Sequence, residues 1–181
     1  IFDLVTFLLY HVSGPLQFRN ACKKTWLHNY SCGKSLTVSD CLYLHCVGDN
    51  AYLTVKVSPM HPGSYRKMAL LVAQYSPMVK AVVAINTFPN ALAYDDEDGT
   101  PLITPGGGLA GYAGTAYLPI ALGQVKQWRD TLPSRIMVFG VGGICCPEDV
   151  TDHFRAGAAA VQVATVYRGF GPGIFSELRA G

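Results

Sequence analysis

The chain has 181 residues, half of them hydrophobic and 14% charged, with a formal net charge of +2. That length is one domain's worth and enough to bury a core, and the apolar content suits a compact α/β domain with buried parallel strands, not a disordered chain. No run of like charge is present, and Lys23, Lys24 and Lys34 lie among apolar residues, so the clustered basic footprint of a nucleic-acid binder is excluded.

Residues 1–12 are strongly apolar but too few to span a bilayer, and no basic region precedes them, so a buried strand or short helix is expected there. The chain opens on Ile instead of Met, which suggests a processed or truncated product. Residues 52–57 (YLTVKV) form a short run rich in β-branched residues that stops at Ser58-Pro59, the pattern of a buried strand. Ser64 is expected to cap a helix running to about Tyr75. A second strand is predicted over 79–85 (VKAVVAI), and the acidic, turn-rich residues 94–100 (YDDEDGT) predict an exposed loop. A glycine-rich stretch follows at 105–114, then a helix over 119–131 with Pro119 in its first turn.

A third strand is predicted over 135–139 (RIMVF), running into Gly140-Val141-Gly142-Gly143. The helix over 147–155 has Pro147 at its start, Glu148 and Asp149 at the positive end of its dipole, and Gly157 as its C-terminal cap. A fourth strand is predicted over 160–164, with Thr165 opening a loop to a final short helix near Pro172. Strands alternating with helices imply βαβ units and a parallel sheet. No repeat or linker divides the chain, so residues 1–181 read as a single domain; this pattern leaves a barrel and a doubly wound sheet both open.

The cysteines are Cys22, Cys32, Cys41, Cys46, Cys145 and Cys146. They show no CxxC pair, no zinc or iron–sulfur spacing and no secretory start, so free thiols in a reducing, cytosolic compartment are expected, with no metal site.

Two strand ends carry most of the chemical information. GVGG ends the third strand and Ala164-Thr165 ends the fourth; in a (β/α)8 barrel, the loops after the last two strands commonly hold a phosphate beside a short extra helix. Glycine lets backbone amides approach an anion, Thr165 adds a hydroxyl, and a helix N-terminus favours negative charge. GVGG lacks the last glycine of a dinucleotide-binding fingerprint and lies late in the chain, so that reading is excluded. Lys56 lies in an apolar strand, where a cation is costly unless it faces an anion, a polar site or solvent. Asn86 and Thr87 follow the next strand and offer donors and acceptors that suit an imide-like edge, or simply make a turn.

From Ala51 to Leu178 these motifs together resemble the C-terminal half of class 1 dihydroorotate dehydrogenases. The matching segments are TVKVSP, INTFPNALAYD, PGGGLAGYAGTAYLPIAL, FGVGGI with its following PED, and AGAAAVQVAT through GPGIF. The resemblance implies an α/β, TIM-type (β/α)8 barrel that binds FMN and oxidises dihydroorotate to orotate in UMP synthesis. It places Lys56 beside the flavin ring as a catalytic and cofactor-binding residue, and Asn86 and Thr87 on the pyrimidine and its carboxylate. It puts Ala113 and Gly114 against the flavin, and Gly142, Gly143, Ala164 and Thr165 around its phosphate. It also implies a soluble, cytosolic homodimer that uses fumarate or a similar acceptor, with no nucleic-acid or membrane partner.

The family's catalytic base is a Cys in an Asn-x-Ser-Cys-Pro-Asn loop. Asn29-Tyr30-Ser31-Cys32 matches its first four positions, with Gly33-Lys34 in place of Pro-Asn. Cys32 is therefore the expected base and Asn29 a substrate contact, while distance along the chain to Lys56 favours Cys22. The family usually has Gly where Ala164 stands, smaller residues at Phe88-Pro89, and a Lys in the PGGG stretch. Residues 1–52 leave room for one or two strands where the family has four before its Lys, so the barrel is expected to be partial on its N-terminal side. The alternatives are a dihydropyrimidine dehydrogenase-like FMN reductase and a non-catalytic FMN- or phosphate-binding barrel fragment.

Overall fold

The computed structural model describes residues 42–47, 50–76 and 79–179, with side-chain environments from Thr54 onward. Residues 1–12, Asn29 and the alternative bases Cys22 and Cys32 lie outside the described residues.

The main sheet contains β1 (Leu42–Val47), β2 (Asn50–Val57), β3 (Val79–Ala84), β6 (Met137–Val141) and β7 (Ala160–Gln162), in that spatial order. β1 runs antiparallel to β2, whereas β2, β3, β6 and β7 are mutually parallel. The neighbours follow chain order, with no reversal among the described strands. Helix α1 (Tyr65–Gln74) joins β2 to β3, α2 (Leu118–Thr131) leads into β6, and α3 (Pro147–Arg155) joins β6 to β7. A two-stranded antiparallel sheet, β4 (Phe88–Ala91) with β5 (Ala110–Tyr112), is inserted between β3 and α2. The short helices α4 (Thr165–Phe170) and α5 (Ile174–Glu177) follow β7.

Residue spacing explains why the helices lie where they do. Tyr65, Ala69 and Val72 form an i, i+4, i+7 stripe on α1, and Ala121, Val125 and Trp128 form the same stripe on α2. Both stripes pack with Val57, Val82, Ala84, Ile136 and Val138 in one core. The Tyr65 and Trp128 rings meet in a T-shaped contact, with centroids 5.5 Å apart. Helix α3 packs on the same side, because the His153 ring covers the α-carbon of Gly140 and position 140 shares the face of Ile136 and Val138.

Arg129 ties the end of α2 to the start of β6. Its guanidinium donates to the carbonyls of Ile136 at 2.8 Å, Leu132 at 2.8 Å and Pro133 at 3.0 Å. Its stem fills the space that a side chain at Gly157 would need. Arg129→Ala is expected to cost about 2–3 kcal/mol, because it strands carbonyls and removes packing. Arg129→Lys recovers only part of that, since an ammonium cannot reproduce the planar fork; the urea unfolding midpoints of the two variants check this.

Several expected boundaries move. The third strand begins at Met137 instead of Arg135, because a turn closed by Ile136 N–H to Pro133 O (3.0 Å) occupies the preceding residues. It also continues through Val141, so half of GVGG is strand. The fourth strand ends at Gln162, and Thr165 opens helix α4 instead of a loop. Ser64 occupies the N-cap position of α1 without a side-chain capping bond; His61 Nδ1 instead accepts from Gly63 N–H at 3.2 Å in the preceding turn. The acidic loop is exposed as expected, and is closed by Asp95 Oδ1 accepting from Glu97 N–H and Asp98 Oδ1 accepting from Thr100 N–H, each at 2.8 Å.

Candidate functional site at the C-terminal strand ends

The parallel register gathers the ends of β2, β3, β6 and β7 along one edge. Lys56 is in register with Val83, Val83 with Phe139, and Phe139 with Ala160. Val55 and Val57 pack against the core shared with the helices. Strand alternation therefore turns Lys56 to the opposite face, the one without the helices, where it is half-buried. Beyond this row the strand ends are stitched together: Asn86 N–H donates to Val57 O at 2.8 Å, and Ile85 N–H to Val141 O at 3.2 Å.

Asn86 and Thr87 leave β3 at this edge, and both are exposed. The Asn86 backbone is held at both ends, since its carbonyl accepts from the buried Tyr117 hydroxyl at 2.9 Å. An open cavity of about 280 Å³ lies beside them, lined by Ser58, Pro89, Asn90, Ala110 and Gly111 as well as by Asn86 and Thr87 themselves. The β4–β5 pair walls this cavity. Gly111 is required there, because a β-carbon would stand 2.1 Å from Thr87 Oγ1. Ala113 and Gly114 follow β5 on the way into α2, with Ala113 exposed and Gly114 at φ +102°.

The two remaining strand ends lie side by side. Val141 registers with Gln162, so Gly142-Gly143 runs next to the segment from Val163 to Thr165. Gly142 and Gly143 take φ of +129° and +81°, and a β-carbon on Gly143 would fall 2.4 Å from Leu118 Cα. The loop is thus pressed against the first turn of α2. Ala164 and Thr165 are exposed at the start of α4, which has no side-chain cap. The first amides of a helix lack intrahelical partners, so this end offers donors to an anion. Ala164, at φ −134°, stands outside the left-handed region, so its methyl costs no backbone strain.

His153 holds this loop from behind. It is fully buried, its ring covers Gly140, and its Nε2 lies 3.0 Å from the Gly142 carbonyl. Because a carbonyl only accepts, Nε2 carries the proton; Nδ1 is buried without a partner. Desolvation by burial lowers its pKa from the ordinary 6.5, outweighing the hydrogen bond to Gly142. The folded protein therefore binds this proton less readily than the unfolded chain. Stability from this group is complete above pH 6.5 and falls as the pH drops below it. Urea midpoints should decline below that pH in the native protein and decline less in His153→Gln, which keeps a donor but does not titrate.

Ser58, Asn90, Gly111, Tyr117 and His153 were not legible as site residues. Three of them act through a partner distant in sequence: Tyr117 through Asn86, Gly111 through Thr87, and His153 through Gly142. The Ser58-Pro59 strand stop, Asn86-Thr87, GVGG and the glycine-rich run of 105–114 pointed to the neighbourhood but not to these residues.

The dihydroorotate dehydrogenase family model matches residues 18–181. The dihydroorotate dehydrogenase (fumarate) of Trypanosoma cruzi (strain CL Brener) is 37% identical over 124 residues, covering 68% of this chain and 39% of that protein. The probable dihydroorotate dehydrogenase A (fumarate) of Enterococcus faecalis (strain ATCC 700802 / V583) is 33% identical over 126 residues, covering 70% of this chain and 40% of that one. The chain thus spans about two fifths of the length of these curated relatives. A crystal structure of DHODH from Eimeria tenella, in complex with ferulenol, superposes with a TM-score of 0.54 at 21% identity, over 69% of this chain and 31% of that one. At that identity the likeness is one of fold.

Proposed function

The chain belongs to the dihydroorotate dehydrogenase family, and from that premise we propose that it supplies the flavin-binding rim of an enzyme oxidising dihydroorotate to orotate in pyrimidine synthesis. The observation that carries this reading is the register that gathers Lys56, Asn86-Thr87, Gly142-Gly143 and Ala164-Thr165 at one edge of the sheet. Barrel active sites lie at the C-terminal ends of their strands. We read the four parallel strands as an arc of a (β/α)8 barrel, with β1 outside it. The unreversed strand order, and helices α1 to α3 on one face, favour that arc over a doubly wound sheet.

FMN fits these residues. The uncapped start of α4 and the glycine loop beside it would hold its phosphate through Gly142, Gly143, Ala164 and Thr165. Ala113 and Gly114 would border the ring with nothing bulkier than a methyl. When bound, FMN supplies a two-electron acceptor for the hydride from C6 of dihydroorotate. Lys56 would face that ring and offset the charge it gains. Asn86 and Thr87, with Ser58 beside them, hydrogen-bond the pyrimidine edge and its carboxylate in the 280 Å³ cavity. Cys32 would take the proton from C5 and Asn29 would contact the substrate, with Cys22 as the alternative base.

The relatives are named for fumarate, and we assign a fumarate-type acceptor to this chain's parent enzyme. No helix among the described residues is long and apolar enough to cross a membrane; we read the enzyme as cytosolic. We assign it a homodimer, supported by the exposed side chains of Phe88, Leu92, Tyr94, Leu102, Ile103 and Leu109 around the β4–β5 insertion.

The test is to titrate the chain with FMN while following flavin fluorescence, then to add dihydroorotate or dihydrouracil without oxygen. Quenching at one equivalent, followed by bleaching with dihydroorotate alone, is the expected result. No quenching sinks the cofactor assignment, and bleaching by dihydrouracil instead moves the substrate to a dihydropyrimidine reductase. Since the chain covers 39% of the Trypanosoma cruzi relative, binding without bleaching would identify a non-catalytic flavin-binding fragment.

A further inference from the structure

We propose that Cys145, Cys146 and Asp149 form a binding site for a thiophilic divalent cation such as Zn²⁺, at the start of α3. The two Sγ atoms and a carboxylate oxygen of Asp149 all lie within 4.8 Å of one another. A tetrahedral zinc with bonds of about 2.3 Å to sulfur sets its sulfurs about 3.8 Å apart, so closure needs side-chain adjustments of up to about 1 Å. Two soft thiolates with one carboxylate select zinc or its congeners over magnesium or calcium.

The frame that presents these groups is already built. Asp149 Oδ2 accepts from the backbone N–H of Cys145 at 2.8 Å and of Cys146 at 3.1 Å, which fixes the carboxylate between the two cysteines and leaves its second oxygen for a ligand. Pro147 and the buried Ile144 bracket the segment. Cys145 is exposed, which leaves an entry path and room for water as the remaining ligand.

The charge balance also suits the place. A bare cation is disfavoured at the positive end of a helix. Here binding releases two thiol protons to solvent, and two thiolates plus one carboxylate around Zn²⁺ leave one net negative charge. That charge faces the α3 N-terminus favourably. Adjacent cysteines followed by Asp at the third position beyond are not a zinc spacing that sequence reading recognises; the convergence comes from the turn into α3. The site does not depend on the flavin reading.

The test uses the full chain and Co²⁺ as a spectroscopic probe. Expected are a near-ultraviolet sulfur-to-cobalt charge-transfer band and visible bands of a tetrahedral ion, saturating at one equivalent and displaced by Zn²⁺. Cys145→Ser/Cys146→Ser, altered at positions that are not buried, should lose these bands. A variant with serine at Cys22, Cys32, Cys41 and Cys46 should keep them. Absence of the bands in the native chain, or their persistence in Cys145→Ser/Cys146→Ser, overturns the proposal. So does their loss in the four-serine variant when its far-ultraviolet circular dichroism is unchanged.

Discussion

Gly143→Ala is expected to lower stability by about 3 kcal/mol and to weaken FMN binding at the same time. Two costs add. At φ +81° an L-residue pays roughly 1–2 kcal/mol for the left-handed conformation. The new β-carbon would then stand 2.4 Å from Leu118 Cα and 2.5 Å from Leu118 N, against the backbone at the head of α2. Backbone cannot rotate away as a side chain does, so overpacking contributes about 1–3 kcal/mol more. Gly107→Ala is the matching control. Its φ of +71° and ψ of +25° are left-handed, yet nothing lies within 4 Å of the added carbon, so only the conformational cost of roughly 1–2 kcal/mol remains. Urea midpoints with equal slopes measure both. Equal losses in the two variants would show that the approach of the loop to α2 carries no energy.

That contrast marks the limit of what the sequence reveals. GVGG reads as a place where backbone must come close to something, and a phosphate is the natural partner in a late barrel loop. The structure shows a second partner on the other side: the glycines also admit the first turn of α2 and the Tyr117 ring. No local pattern carries that information, because the first turn of α2 lies more than twenty residues upstream. β3 and α3 were legible because their signals are local. VKAVVA is a buried β-branched run, and Pro147, Glu148 and Asp149 mark a helix start within one turn. β1 (LYLHCV) was not legible, since it has one β-branched residue and no clean alternation. The β4–β5 pair was missed because Pro89 and the glycines at 106–108 and 111 argue locally against strands; cross-strand partners such as Phe88 with Tyr112 overrule them. Lys56 could be flagged from its place inside an apolar strand, and Asn86 from its place just after one. That they share an edge with Gly142 and Ala164 follows only from the parallel register.

Lys56→Met tests the chemical end of this edge, and we expect it to slow reduction of bound FMN by dihydroorotate about a hundredfold, the usual scale for removing one preorganised electrostatic group. Methionine keeps an unbranched stem of similar length, so the packing of a half-buried position is largely preserved while the charge is lost. The flavin ring becomes electron-rich when it accepts hydride. A cation on the strand face opposite the helices stabilises that state more than the oxidised one. The midpoint potential of the bound flavin should therefore become more negative in Lys56→Met, and FMN affinity should change by much less than the rate. Lys56→Arg should restore only part of the rate, because a planar guanidinium cannot occupy the place of a compact ammonium in the row formed with Val83, Phe139 and Ala160. Anaerobic stopped-flow bleaching separates these outcomes from a folding defect, since variants that bind FMN with unchanged stoichiometry have kept the rim. A variant that binds FMN normally and is reduced at the native rate would remove Lys56 from the chemistry and leave it a half-buried cation at a strand end.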